Sequence, residues 1–126
     1  MLAVSDDSGT TDQRLLTHAD LLELLSVYPT PEAEDARRVL VASDVDMHKA
    51  SPVAASDIES IYRRRLRRMP KDDRLVPSID RLIQSTADTP GEKIYLVVVD
   101  GEDQVFSVWL SQELDRVISV FSHERD

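Results

Sequence analysis

The sequence predicts an α+β domain. About four helices in the N-terminal half pack on a C-terminal antiparallel β-meander of about three strands. Three observations support this fold class. Apolar residues recur at helical spacing from residue 17 to residue 86, Pro90 and Gly91 end that pattern, and β-branched residues dominate from residue 93 onward. The change of period near Gly91 therefore separates a helical half from a sheet half.

The first two helices are predicted from their N-termini. Thr17 has the position of an N-cap before the first apolar stripe, and Pro29 ends that stripe. Thr30 and Pro31 then start a second helix over 31–42, because proline is well tolerated at the first helical position. The end of this stretch, 39–42, also admits a short strand that would join the sheet.

Two further helices follow a predicted loop over 43–55. Ser56 and Glu59 have the spacing of a capping box, which predicts a third helix over 57–69. Pro70 ends it, because proline disfavours helical geometry in the residue before it. The fourth helix covers 75–86, with Pro77 in its first turn.

The C-terminal half predicts three strands. Residues 93–99 are apolar on both faces, as in a covered central strand, and Asp100 and Gly101 predict a two-residue hairpin turn into 104–110. Tyr95 would then face Phe106 across the hairpin. Residues 112–122 fit either a helix or a strand, and the β-branched residues favour the strand.

Length and composition describe one domain with a polar tail. The chain has 126 residues, and residues 1–13 are small and polar. We expect a disordered tail over 1–13 and a single α+β domain over 14–126. The sequence shows no signal peptide and no apolar run long enough to cross a bilayer, so we expect a cytoplasmic protein with no membrane partner.

The charge balance disfavours nucleic acid as a partner. Fifteen basic and 24 acidic residues give a formal net charge of −9, whereas phosphate binding needs a positive surface. The chain has no cysteine, which excludes disulfides and thiolate chemistry. Its three glycines are too far apart to form a phosphate loop, and no cofactor is predicted.

The arginine-rich stretch within 62–74 is the most unusual local feature. It holds seven basic and two acidic residues, a local charge of +5, so the rest of the chain carries −14. Such a strip can receive an acidic protein surface or a phosphate group, or it can form ion pairs with the chain's own carboxylates. The candidate binding residues are Arg63, Arg64, Arg65, Arg67 and Arg68.

Two residues stand out from their surroundings. At 100° per residue Arg65 falls between Ile61 and Met69, inside the apolar stripe of the third helix, where its charge needs a partner or a route to solvent. Trp109 lies on the opposite side of its strand from Phe106. If that face of the meander is uncovered, Trp109 is a candidate contact for a partner.

No metal site or catalytic residue is predicted. The pattern of Asp44, Asp46 and His48 resembles hard-ligand spacing, but Lys49 and Ala55 stand where a calcium loop needs glycine and glutamate. No serine lies in a nucleophile-elbow motif, and no pair of histidines has zinc-ligand spacing.

These features favour a small regulatory or interaction module that acts by surface contact with a protein and not by catalysis. The partner could be a second copy of the chain, paired through an edge of the three-stranded sheet. The alternative is a ligand-binding or enzymatic domain with a pocket between helices and sheet for an anionic small molecule. A pocket lined by Arg65, Tyr62, Tyr95 and Trp109 would favour that alternative.

Overall fold

A computed structural model describes residues 13–70, 73 and 75–124. Four helices and five strands follow one another along this part of the chain. In order they are β1 (Arg14–Thr17), α1 (His18–Ser26), α2 (Pro31–Val41), β2 (Met47–Ala54), α3 (Ala55–Arg68), α4 (Leu75–Ala87), β3 (Lys93–Asp100), β4 (Gln104–Leu110) and β5 (Val117–Glu124).

The five strands form one antiparallel sheet in the order β1-β2-β3-β4-β5. Strand β2 joins β1 to the rest of the sheet, because its two halves pair with different strands. Its first half pairs with β1, from Met47 opposite Thr17 to Ala50 opposite Arg14. Its second half, from Ser51 to Ala54, pairs with β3.

The predicted fold class is wrong in its sheet and in its layering. The sheet has five strands, the described chain starts with a strand, and helices cover both faces of the sheet. The segment predicted as a loop over 43–55 contains β2, with Pro52 paired opposite Tyr95. Strand β1 has only four residues and β2 is polar and contains proline, so neither shows a clear alternation of apolar and polar residues. Only their pairing with distant strands defines them.

Alternate residues of the strands form two separate cores. Helices α1 and α2 cover one face of the sheet, where Leu21 and Leu40 pack against Val97 and Val108. Helices α3 and α4 cover part of the other face, where Ile58 and Leu82 belong to the same cluster as Trp109. Strands β3 and β4 lie between the two cores, which explains why β3 is apolar on both faces.

Most of the predicted helices and the ambiguous last strand are confirmed. Helix α1 starts at a Thr17 cap, α2 has Pro31 in its first turn, and α4 accommodates Pro77. Residues 39–41 are helical and do not join the sheet, and 117–124 form β5.

Helix α3 begins two residues before its predicted start. Ala54 is its N-cap, with no side-chain hydrogen bond, so the predicted capping box at Ser56 does not form. Strand β2 runs directly into α3, and the Ala55 N–H donates to the carbonyl of Glu92. This hydrogen bond satisfies one of the N–H groups that the first turn of a helix leaves without an intrahelical acceptor.

The β3–β4 turn lies further along the chain than predicted. Asp100 pairs with Val105, and the Gly101 N–H donates to the carbonyl of Gln104 at 2.8 Å. Gly101 has no positive φ, so the tight turn predicted at Asp100 and Gly101 is wrong. The later turn also shifts the register, placing Tyr95 opposite Leu110 and not opposite Phe106.

Two further expectations concern the N-terminal tail and membrane-spanning segments. The predicted tail over 1–13 lies outside the described residues except for Gln13, whose side chain donates to Ser51. Within the described residues, no helix has both the length and the apolar character needed to span a bilayer.

Candidate functional site

Helix α3 presents its arginines to solvent because its apolar residues point to the sheet. Ile58 and Tyr62 are buried against the sheet, and Leu66 is half-buried. Five arginines, Arg63, Arg64, Arg65, Arg67 and Arg68, occupy the rest of the last two turns and are all exposed.

Most of these arginines form no ion pair with any residue that the structure describes. Arg63 contacts Glu59 one turn earlier at 2.7 Å. The other four, Arg64, Arg65, Arg67 and Arg68, form no salt bridge within the described part of the chain. Their position in the last turns of α3 is favourable, because cations offset the negative end of the helix dipole.

A groove between α3 and α4 runs beside two of the arginines. Its volume is about 330 Å³, and Leu66 and Ile83 supply its apolar lining. Arg63 and Arg67 line it from α3, together with the carboxylates of Glu59 and Asp80. Glu59 is already paired with Arg63, so Arg67 is the cation of this groove with no ion pair among the described residues.

Arg65 lies at the border of the apolar stripe. It is exposed, and it lies near the Tyr62 hydroxyl one turn before it on α3. Burial raises the pKa of Tyr62, and the positive charge of Arg65 and the indole of Trp109 oppose that rise. The guanidinium of Arg65 thus reaches solvent beside Tyr62, as expected for a long side chain at the rim of a core.

Trp109 lies in the core and contributes no exposed surface. Only 3% of it is accessible, and the rings of Tyr62 and Trp109 pack edge to face at 6.2 Å. Its indole Nε1 is buried near the Tyr62 hydroxyl, but no acceptor among the described residues has good hydrogen-bond geometry to it. Tyr95 lies in the other core, across the sheet, so Arg65, Tyr62, Tyr95 and Trp109 do not line one pocket.

A pair of histidines is the contact that the sequence did not indicate. His18 Nδ1 and His48 Nε2 are 3.0 Å apart, one ring donating to the other, and the rings are stacked. Burial, followed by the nearby His18, lowers the pKa of His48. The two residues are 30 positions apart and meet because β1 pairs with β2, so no local signal could have revealed them.

Two arrangements that could have served catalysis or metal binding do not form among the described residues. Ser107 Oγ and His123 Nε2 are 3.5 Å apart, and no described carboxylate hydrogen-bonds His123, so a triad is not assembled. Asp44, Asp46 and His48 form no cluster with metal-binding geometry, and the described residues contain no other group of three or more such ligands.

No known protein family, no curated protein and no solved structure matches this chain.

Proposed function

We propose that this protein is a small interaction module that binds an acidic segment of a partner protein along the arginine face of α3. The observation that supports this proposal is that Arg64, Arg65, Arg67 and Arg68 have no ion pair among the described residues, in a chain with a net charge of −9. Carboxylates outnumber basic groups, yet none of those described lies within ion-pair distance of these four side chains. A patch of positive charge attracts acidic protein segments and repels basic ones, even on a protein whose net charge is negative.

The lining of the groove between α3 and α4 indicates what kind of partner segment would fit. An extended or helical peptide can place apolar side chains on Leu66 and Ile83 while its carboxylates reach Arg67 and the neighbouring arginines. Arginine suits this role because its planar group binds a carboxylate through two parallel hydrogen bonds. The proposed partner is therefore an acidic peptide segment with interspersed apolar residues.

The alternative of a pocket for an anionic small molecule has weaker support. Trp109 and Tyr62 fill the space between α3 and the sheet, and Arg65 points to solvent beside them. The five arginines are instead exposed on α3, and Arg63 and Arg67 line the groove beside α4, an arrangement that suits a peptide segment better than an enclosed small molecule.

The test is binding to defined peptides followed by capture from cells. Fluorescence anisotropy would compare an acidic, leucine-containing peptide with a peptide of the same composition in scrambled order and with a basic peptide. Binding should be selective for the acidic peptides and should weaken as salt is added. The variant Arg64→Glu/Arg67→Glu should lose this binding.

A matched control exists on α2. Arg37 and Arg38 are adjacent and exposed, so Arg37→Glu/Arg38→Glu makes the same change in net charge on another surface. It should bind the acidic peptide almost as wild type does. Equal losses in the two variants would show that net charge alone is being measured, and the proposed site would be rejected. In capture from cell lysate, wild type and Arg37→Glu/Arg38→Glu should retain the same partner protein, and Arg64→Glu/Arg67→Glu should lose it.

A further inference from the structure

Helices α3 and α4 cover only about half of the sheet face on which they pack. Along β5, α4 packs on Ile118 and Ser119, Tyr62 of α3 packs on Phe121, and His123 two residues later is only half-buried. The register continues this open region across the strands, since Val98 pairs with Ser107 and Val105 pairs with His123. We call this region the open sheet face.

The open sheet face is apolar for a solvent-exposed surface. Leu15 is 63% exposed, Val98 50% and Met47 43%, and the half-buried Leu96 and Val105 lie among them. Lys49, which pairs opposite Leu15, is an exposed charged residue on the same face. Ile61 of α3 is 51% exposed, and helical spacing places it on the side of α3 opposite Glu59 and Arg63, which face α4. Four of the seven exposed large hydrophobic residues of the described chain are therefore gathered here, which is typical of a surface that another protein covers.

The two ends of the open sheet face carry opposite charge. At the α3 end, Arg65 and Arg68 lie on the same side of the helix as Ile61, since these positions are three to four residues apart. At the other end, Asp100 closes β3, and Glu102 and Asp103 form the exposed β3–β4 turn. A surface with a basic end and an acidic end complements a reversed copy of itself.

We propose that the open sheet face binds a second copy of this chain. The two-fold axis lies midway between the two sheets, parallel to their planes and perpendicular to the strands. The open faces of two copies then pack as a sandwich, with α3 of each copy against the β3–β4 turn of the other. Face-to-face sheets lie about 10 Å apart, close to the diameter of one helix, so each α3 fits beside the partner's sheet. Arg65 of each copy meets Glu102 and Asp103 of the other.

The edge of β5 is a poorer site for a second copy, although edge pairing is what the sequence predicts. The carbonyl of Ile118 already accepts a hydrogen bond from the Tyr28 hydroxyl. The opposite edge, β1, is four residues long and carries Arg14. Short and charged edges resist pairing with another chain. The exposed apolar area lies on the face of the sheet and not along these edges.

Sedimentation equilibrium of the purified full chain tests the proposal without any other partner. Wild type should dimerise as its concentration is raised from about 5 to about 300 µM, as mass action requires. Val98→Glu places a charge in the apolar centre and should weaken the dimer by at least about tenfold. Val27→Glu is the matched control, because Val27 is exposed at the end of α1, on the other face of the sheet, and should leave dimerisation unchanged.

A charge exchange tests the orientation of the two copies. Arg65→Glu and Glu102→Arg should each weaken the dimer by about fivefold, and the combined variant should recover to within about twofold of wild type. Recovery requires the two charges to meet across the interface. Circular dichroism would establish that each variant keeps its fold.

Three results would overturn the proposal. The first is a wild-type protein that stays monomeric over the whole concentration range, which would leave the open sheet face to another protein. The second is a dimer that Val98→Glu and Val27→Glu affect equally, which would place the interface elsewhere. The third is a charge exchange that weakens the dimer further, which would exclude the reversed arrangement. None of these results depends on binding of the acidic peptide, which is tested by changing Arg64 and Arg67 and not Arg65.

Discussion

The hydroxyl of Tyr28, two residues beyond α1, donates a hydrogen bond to the backbone carbonyl of Ile118 in β5 at 2.8 Å. Arg81 of α4 donates to the same hydroxyl at 3.1 Å. Because α1 and α4 cover opposite faces of the sheet, Tyr28 links the two helical layers around β5. This contact joins residues 90 positions apart and ties the first helical hairpin to the last strand.

We expect Tyr28→Phe to lower the free energy of unfolding by about 1–2 kcal/mol, because the carbonyl of Ile118 loses its partner in a half-buried position. Urea unfolding followed by the fluorescence of Trp109, the one tryptophan of the chain, measures this change. Tyr95→Phe is the control, since no hydrogen bond of the Tyr95 hydroxyl is found among the described residues. A loss no larger than that of the control would contradict the structural role of Tyr28.

Stability should decrease in mildly acidic solution because of His48. Its pKa in the folded protein lies below the ordinary value of 6.5, through burial and through His18. The unfolded chain therefore binds more protons than the folded chain between that lowered pKa and 6.5. The free energy of unfolding is highest above pH 6.5 and falls as the pH decreases through this window.

Urea unfolding at several pH values between 8 and the onset of carboxylate titration measures this dependence. His48→Gln should reduce the slope of the unfolding free energy against pH. His123→Gln, on the opposite face of the sheet, is the matched control and should keep that slope. The explanation fails if the slope survives in His48→Gln.

The two described glycines should respond differently to alanine. A Cβ at Gly101 would lie 2.8 Å from the carbonyl oxygen of Gln104 and 3.3 Å from Cγ2 of Val39, whereas a Cβ at Gly91 has no atom within 4 Å. We expect Gly101→Ala to cost about 1–3 kcal/mol through overpacking at the turn. Gly91→Ala should be neutral or stabilising by about 0.4–1 kcal/mol, because it restricts the unfolded chain. Equal thermal midpoints for the two variants would contradict this account.

Arg65 should contribute little to the stability of the folded chain. It is exposed and has no ion pair among the described residues, so Arg65→Met should change the free energy of unfolding by less than about 0.5 kcal/mol in dilute solution. Ile58→Ala, at a fully buried position of the same helix, should cost about 2–5 kcal/mol. A large loss from Arg65→Met would mean that the arginine serves the fold, and its assignment to an interaction surface would be withdrawn.

Local signals were sufficient for about half of the architecture. Thr17 and Pro31 mark helix starts, and the β-branched run 117–121 favours a strand, because capping, proline geometry and side-chain branching act within a few residues. The same local reasoning located the arginines on one helix. It also separated Phe106 from Trp109 correctly, since successive strand residues point to opposite faces.

Long-range pairing decided the rest. Strands β1 and β2 form because Arg14–Thr17 and Met47–Ala54 pair with residues 30 or more positions away. Neither segment has an alternation of apolar and polar residues that would show this in isolation. The same pairing brings His18 to His48. Helix α3 lies over only half of one sheet face, so it buries Trp109 and leaves Val98 exposed. Both residues belong to apolar strands, and only the position of α3 decides which of them is in the core.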